Sequence, residues 1–199
     1  MHVLVEGVCI KELQNLLKYL IDQRGIKLDE INRRIISFKY FCIDMTDKPN
    51  SITKDHIKNG SFAQSAGQMM TLMLNLPFIL GDLFTKFDEN WCNFINLHKI
   101  INLVFCFFYD DKTIEQLDKN INDYLENFKN LYKDVKFTPK MHYMSHFPNQ
   151  CKNFGLLRHH SCFRFEAKNG LMADLNFKNF INIAYSCATK HQLWMASKE

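Results

Sequence analysis

At 199 residues the chain is long enough for one domain with a substantial core, or for part of a larger one. Hydrophobic residues make up 47% and charged residues 23%, which excludes an intrinsically disordered protein. The net charge of +4 is compatible with a nucleic-acid partner but does not by itself indicate one. With 18 Phe against 7 Gly and 4 Pro, the composition favours packed helices over hairpin-rich sheet.

The cysteines and the most apolar segment bear on where the protein works. The 7 cysteines are odd in number and include no CxxC pair, so we expect reduced thiols of an intracellular protein. The first residues, MHVLVEGVCIKE, lack the basic start of a signal peptide and carry Glu6 in their only apolar stretch. Residues 69–84 are interrupted by Asn75, Pro77 and Asp82, and are too short and broken to span a membrane. We therefore expect a soluble chain with no membrane partner.

The first 60 residues predict two helices and a loop. Apolar residues recur at three- and four-residue steps over 9–21, and Gly25 follows as a C-terminal stop. A second, shorter helix is predicted over 28–38. The apolar pattern fails over 44–60, which predicts an exposed loop. The sequence predicts a single strand, a short one at residues 3–5.

The middle of the chain predicts a buried helical core. Ser61 or Ser65 is expected to cap a helix over 69–76, with a kink or break at Pro77. Residues 91–108 are apolar on nearly every side, so they predict a fully buried central helix. The residues expected in that core are Trp91, Phe94, Ile95, Leu97, Ile101, Val104, Phe105 and Phe108.

Four further helices are predicted in the second half. Thr113 and Gln116 form a capping-box pattern before an amphipathic stripe over 114–132. Thr138 and Pro139 mark a helix start, and further helices are expected over 163–175 and 180–197. No linker divides the chain. We expect one domain over 1–199, made of N-terminal helices and loop (1–60), a buried helical core (61–135) and C-terminal helices (136–199).

Two clusters of side chains have helical i, i+4 spacing. His2 and Glu6 would point the same way in a helix and could share a metal or a hydrogen bond, or could be a solvated His and a Glu favoured by the helix dipole. His142 and His146 lie in PKMHYMSHFP. Tyr143 stands where the metalloprotease motif HEXXH has Glu, which rejects a metalloprotease. Hydrogen bonds to neighbours or to phosphate are the alternatives for this histidine pair.

A third cluster gathers positive charge around one carboxylate. Its cysteine and histidine spacing, C-x7-H-H-x-C, matches no ordinary zinc site. Cations around Glu166 suit a phosphate backbone beside a carboxylate-held metal, whereas an ion pair of Glu166 with Arg164 or Lys168 is the structural alternative. The cations expected to contact DNA are Arg158, His159, His160, Arg164 and Lys168.

Four segments in the same order resemble the CACTA-like group of DDE transposases. MHVLVEGVC resembles that family's Asp-x-Met-His motif from the Met onward, and SAGQMMTLMLNLPFILGDL resembles its helical insertion. PKMHYMSHFP is similar to its Pro-Lys-x-His-x-x-x-His-x-Pro segment, and FRFEAKNG to its Arg-Phe-Glu-Ala-Lys-His. The resemblance covers almost the whole chain.

The resemblance implies an RNase-H-like core in which two Asp and one Glu hold two Mg²⁺ or Mn²⁺ ions and cut transposon-end DNA in the nucleus. Glu166 would be the last of those carboxylates and a metal ligand, and His2 the His of the Asp-x-Met-His motif. His142 and His146 match family positions to which we assign no role. The helix carrying Glu166 is expected to lie near His2, because both border one metal pair.

The chain also departs from the family pattern. The second Asp is expected two residues before Met1 and the first on an earlier strand, while Asn169 replaces a His and residues 170–173 replace basic ones. We therefore expect a mostly α-helical, C-terminal piece of a transposase domain with its sheet largely missing, catalytically inactive and without tight metal binding. Two alternatives stay open. One is a transposon-derived, non-catalytic helical module that binds DNA or protein, and the other is an unrelated helical regulatory protein.

Overall fold

The computed structural model describes residues 2–162 and 182–196, which belong to two units, Met1–His160 and Ser161–Glu199. Every regular element within the described ranges is helical, as the composition predicts. The first unit contains α1 (Cys9–Lys18), α2 (Leu28–Ser37), α3 (Lys54–Asn59), α4 (Ala66–Leu80), α5 (Glu89–Val104), α6 (Asp111–Leu131), α7 (Pro139–Met144) and α8 (Phe147–Phe154). Wider π-helical turns at Leu4–Val8 and Tyr19–Gln23 flank α1, and 3-10 turns occur at Cys42–Asp47, Gly81–Leu83 and Leu157–His160. The second unit contains α9 (Ile183–Ala196) within the predicted range 180–197.

The N-terminal segment is helical, so the strand predicted at residues 3–5 is wrong. The amide of Val8 donates to the carbonyl of Val3 over 3.1 Å, which closes the π-helical turn that leads into α1. Leu4, Val5, Val8 and Cys9 are all buried, and this spacing places them on one helical face. Burial of that face decides the conformation of a segment whose β-branched residues alone favour a strand.

The predicted first helix and its stop are confirmed, and α2 follows as predicted. Gly25 has a φ of 67°, in the left-handed region where a residue without Cβ is favoured. The helix α2 packs against α4, and Arg34 near its end donates to the carbonyl of Ile79 over 3.3 Å and pairs with Asp82 at 2.5 Å. These contacts fix the N-terminal helices to the core.

The exposed loop predicted over 44–60 is partly wrong, because it contains α3. Thr53 caps this helix by accepting from the amide of His56 at 3.2 Å, and the His56 ring lies 3.2 Å from the amide of Thr53 in return. Ile52 and Ile57 are buried on the core side. Two apolar side chains in an otherwise polar segment are enough to hold one short helix against α1.

The helix α4 begins at the second of the two predicted caps. Ser65 accepts from the amide of Gln68 at 3.1 Å, and Gln68 accepts from the amide of Ser65 at 2.9 Å. The helix continues through Pro77 to Leu80, so no break occurs there. Ile79 and Leu80 are buried, and their packing holds the last turn despite the hydrogen bond that proline removes.

The helices α5 and α6 form an antiparallel pair at the centre of the first unit. Asn96 in α5 donates to the carbonyl of Asn120 in α6 over 3.1 Å, and Asn93 and Tyr124 both reach the same buried carboxylate. The predicted stripe of α6 is confirmed, with its most buried members at Ile114, Leu117, Ile121, Tyr124 and Phe128. The predicted core of α5 is confirmed at Phe94, Leu97, Ile101 and Val104.

The remaining members of the predicted α5 core are less buried than expected. Trp91, Ile95 and Phe105 are only half-buried. The helix ends at Val104, and Phe108 lies beyond it with 73% of its surface exposed, so its predicted burial is wrong. An apolar side chain of a helix is buried only where a neighbouring helix packs against it. The loop after α5 lies beyond that packing, so Phe108 is exposed.

The cap of α6 also differs from the prediction. Asp110 takes this position, and its carboxylate accepts from the amide of Thr113 at 2.7 Å. Thr113 is therefore inside the helix and does not cap it, because an acidic residue three positions earlier takes that role.

The last helices of the first unit follow directly on one another. Thr138 caps α7 by accepting from the amide of Met141 at 3.4 Å, and Pro139 occupies the first turn, as predicted. The buried face of α7 and α8 consists of Met141, Met144, Phe147 and Cys151. The helix predicted over 163–175 lies outside the described residues. Within the described ranges, no helix combines the length and apolarity needed to cross a bilayer.

Candidate functional site

His2 and Glu6 lie on the first helical turn of the protein and contact each other. The His2 Nδ1 atom hydrogen-bonds the Glu6 carboxylate, as the i, i+4 spacing predicts for a helix. Their side chains remain 62% and 35% exposed, so both can reach a ligand from solvent. Of the alternatives set by the sequence, the structure shows the shared hydrogen bond.

The segment that carries this pair packs against α7. Lys140 at the start of α7 donates to the carbonyl of Glu6 over 2.9 Å, and its aliphatic chain crosses Gly7. A Cβ atom placed on Gly7 would overlap Lys140 Cδ and lie 3.1 Å from the carbonyl oxygen of His2. A residue without a side chain suits this close approach. The Glu6-Gly7 pair and the Pro139-Lys140 pair are therefore adjacent in space although 134 positions separate Glu6 from Lys140.

His142 and His146 project from α7 and from the turn that follows it. Both are exposed, and their rings meet edge to face with centroids 4.9 Å apart. The ring of His142 also lies 6.1 Å from that of Tyr143. Two exposed imidazoles at this distance can donate to a phosphate or bind a metal that another group completes.

The cations predicted to contact DNA begin in the turn after α8. The guanidinium of Arg158 lies over the ring of Phe107, 3.7 Å from its centroid, and His159 is exposed. His160 contacts the carbonyl of Phe154 through Nε2 at 3.1 Å, which holds the turn against the end of α8. Arg164, Glu166 and Lys168 lie outside the described residues. The expected proximity of Glu166 to His2 therefore stays a prediction.

The metal ligands implied by the resemblance are not assembled from the described residues alone. Within 2–162 and 182–196, no group of three or more His, Cys, Asp or Glu side chains lies close enough to hold a metal ion. The His2–Glu6 pair supplies at most two ligands, whereas Mg²⁺ and Mn²⁺ sites for phosphoryl chemistry use shared carboxylates.

The interior of the first unit holds a polar centre that the sequence did not predict. The Glu12 carboxylate in α1 is fully buried and accepts from the hydroxyl groups of Tyr124 at 2.9 Å and Tyr132 at 3.4 Å, and from the Asn93 amide at 3.4 Å. Burial raises the pKa of Glu12 to about 7, and the hydrogen bonds from the two tyrosines and the asparagine oppose that rise. The position of Glu12 on the apolar face of α1, three residues after Cys9, could have revealed it.

A cleft of about 760 Å³ lies away from all these residues, between α1, α2 and α3. Its floor is aliphatic, with Ile21, Ile26, Leu28 and Ile57. Its rim carries Lys18, Lys27, Lys54 and Lys58, none of which forms an ion pair with a described residue, together with Asp22 and Asp29. The four lysines are scattered over 40 positions, so no sequence pattern unites them and only the packing of three helices brings them together.

Comparisons with known proteins add no relative. The chain matches no protein-family model, no curated protein and no solved structure.

Proposed function

We propose that this chain is the helical part of a CACTA-like DDE transposase domain, which acts on transposon-end DNA but does not cut it alone. The observation that supports this most directly is the contact between two of the segments that carry the resemblance. MHVLVEGVC and PKMHYMSHFP meet where Lys140 crosses Gly7 and donates to Glu6. Residues of one functional site are expected to converge in this way when they are distant in sequence.

The contact also explains why these particular residues occur in the two segments. Gly7 leaves room for the Lys140 side chain, and Pro139 occupies the first turn of α7 directly before Lys140, a position that proline favours. The exposed pairs His2–Glu6 and His142–His146 flank this contact along the same two elements. In the proposed enzyme they border the end of the strand that carries the second Asp.

The chemistry follows from the resemblance. Divalent metals held by two Asp and by Glu166 would activate water or a DNA 3′-hydroxyl for attack on a phosphodiester. Within the described residues the groups suited to the DNA itself are Arg158, His159 and His160, which offer positive or hydrogen-bonding atoms to phosphate. This chain supplies one of the three carboxylates, so the proposed role is positioning of DNA and completion of a site.

The decisive experiment is to read the coding sequence immediately upstream of the Met1 codon and express the extended protein. We expect an in-frame Asp two codons earlier, and Mg²⁺- or Mn²⁺-dependent nicking of DNA by the extended protein that is lost in Glu166→Gln. His142→Ala serves as a comparison that retains all carboxylates. An in-frame upstream sequence without that Asp, or nicking that survives Glu166→Gln, contradicts the proposal.

The lysine-rimmed cleft favours a second candidate, a non-catalytic helical module that binds an anionic partner. Four lysines without ion pairs among described residues surround an apolar floor, a combination that suits an acidic peptide or a phosphate backbone. Lys54→Glu with Lys58→Glu should weaken retention of the chain on heparin far more than Lys86→Glu with Lys99→Glu, which lie outside the cleft. Equal retention of the two double variants contradicts this second candidate.

A further inference from the structure

The loop between α5 and α6 holds two phenylalanine rings in solvent. Phe107 and Phe108 are 83% and 73% exposed, although they directly follow a buried helix. The Tyr109 hydroxyl donates to the carbonyl of Val104 over 3.1 Å, which closes the loop on its own helix end. Tyr109 therefore turns inward, and the two rings before it turn outward.

The end of α8 forms the opposite wall of a cleft of about 600 Å³ beside these rings. Lys152, Gly155 and Leu156 line it, and the neighbouring Phe154 is 69% exposed. Gly155 ends α8 with a φ of 78°, and no described atom lies within 4 Å of the place a Cβ would take. The cleft is open to a ligand that approaches from solvent.

Two cations, Lys152 and Arg158, and two carboxylates, Asp110 and Asp111, lie around the rings. Arg158 stacks on Phe107 at 3.7 Å and forms no ion pair with a described residue, and the same holds for Lys152. The two carboxylates at the cleft belong to Asp110, which caps α6, and to Asp111, its first residue. The Asp110 carboxylate accepts hydrogen bonds from the amide and the hydroxyl of Thr113. The partial positive charge of the helix start further offsets both.

We propose that this surface binds single-stranded DNA, with unpaired bases stacked on Phe107 and Phe108 and phosphates at Lys152 and Arg158. Bases stack on exposed aromatic rings irrespective of sequence, and cations between the rings follow the backbone. An apolar protein partner would instead favour a patch depleted of charge at its centre. The choice of DNA over RNA rests on the proposed function, whereas the unpaired, anionic and aromatic character of the ligand rests on the surface.

The test compares ring removal at this surface with ring removal elsewhere. Fluorescence anisotropy of labelled oligothymidylate is measured with the full chain and with Phe107→Ala, Phe108→Ala and Phe87→Ala. Phe87 is a matched control, since it is 85% exposed and lies just before the start of α5, whereas Phe107 and Phe108 lie just after its end. We expect Phe107→Ala and Phe108→Ala to weaken binding by roughly fivefold to a hundredfold each, and Phe87→Ala to leave it unchanged.

Two further measurements distinguish stacking from general attraction. Binding to a blunt duplex of the same length should be the same in Phe107→Ala as in the wild type. Phe107→Trp, which keeps an aromatic ring, should bind the single strand as well as the wild type does. Arg158→Gln should weaken both, and should lower the slope of log affinity against log salt for the single strand by about 0.7.

Oligothymidylate binding that is equal in the wild type and Phe107→Ala overturns the inference, as does equal loss in Phe87→Ala. Binding to duplex alone overturns it while leaving the proposed function intact. Self-association that depends on Phe107, without binding of the oligonucleotide, assigns the surface to a second copy of the chain and also overturns it. The upstream Asp tests the proposed function independently of all these outcomes.

Discussion

Glu12 places a carboxylate in the interior of the first unit with no cation among its described hydrogen-bond partners. Three groups donate to it, Tyr124, Tyr132 and Asn93, while Cys9 lies close enough on α1 for its own pKa to be raised, chiefly by burial and then by Glu12. A buried carboxylate without a counter-ion is favoured in its protonated form. Glu12 should therefore make its own contribution to the pH dependence of the stability of the fold.

The predicted direction follows from the pKa of Glu12, which is about 7 in the folded protein against an ordinary value of 4.5. Below pH 4.5 the carboxyl is protonated in both states, and its contribution to stability is fully present. As the pH rises toward 7 the unfolded chain ionises first, so the free energy of unfolding should fall by an amount on the order of 3 kcal/mol. Glu12→Gln should remove this fall and make the protein more stable than wild type at pH 8.

Urea unfolding at a series of pH values measures this effect. Glu115→Gln is the control, because that side chain is exposed on α6 and its removal should preserve the wild-type slope. The same pH slope in wild type and Glu12→Gln would contradict the assignment.

At the level of single elements, two glycines end helical segments in the left-handed region but have different surroundings. Gly25, after α1, has no described atom within 4 Å of the position that a Cβ would occupy, whereas a Cβ on Gly60, after α3, would lie 2.6 Å from Gln14 Oε1. Gln14 holds the end of α3 by donating to the carbonyl of Ile57 over 2.7 Å. Of these two positions, only at Gly60 does a substitution disturb both the backbone and a contact between helices.

We expect Gly25→Ala to lower the free energy of unfolding by about 1 kcal/mol, the backbone effect alone. Gly60→Ala should lower it by about 2–3 kcal/mol, because the methyl group also displaces the Gln14 amide. Urea unfolding of both variants gives the difference. Gly60→Ala in a Gln14→Ala background should approach the effect of Gly25→Ala, and an undiminished effect there would rule out the Gln14 contact as its cause.

The helix α5 gives a second prediction for an element. Phe94 is fully buried, and Phe94→Ala should cost about 3–5 kcal/mol of stability. Phe108 follows the same helix but is 73% exposed, so Phe108→Ala should leave stability nearly unchanged. Thermal unfolding compares the two, and a large loss in Phe108→Ala would mean that the loop packs against another part of the protein.

For the molecule as a whole, the proposed transposase origin makes a prediction about activity. Two-metal cleavage needs several shared carboxylates, and the resemblance assigns only Glu166 within these 199 residues. We therefore expect the purified chain to show no nicking of supercoiled plasmid with Mg²⁺ or Mn²⁺. Nicking that disappears in Glu166→Gln would refute this expectation, whereas nicking that persists in that variant indicates a contaminating nuclease.

The helical class and several helix ends could be predicted without any knowledge of the packing. Apolar residues at three- and four-residue steps line up on a single face when the segment is helical. Ser65 and Thr138 cap helices by hydrogen bonds to amides three positions away, and Gly25 ends a helical segment through its own backbone conformation. These features depend on local geometry, so the rest of the chain does not alter them. The His2–Glu6 contact was open to prediction for the same reason.

Features that depend on distant neighbours could not be read from local patterns. Burial against other helices makes residues 4–8 helical and carries α4 through Pro77, and the tyrosines at α6 allow Glu12 to lie inside. The contact of Lys140 with Glu6 and the exposure of Phe107 are likewise set by packing between helices. Local propensities amount to about 1 kcal/mol or less per residue except at proline, which costs about 3 kcal/mol inside a helix. Burial of one large apolar side chain contributes about 1.5–3 kcal/mol, so packing prevails at residues 4–8, and at Pro77 the burial of two side chains, Ile79 and Leu80, offsets the cost.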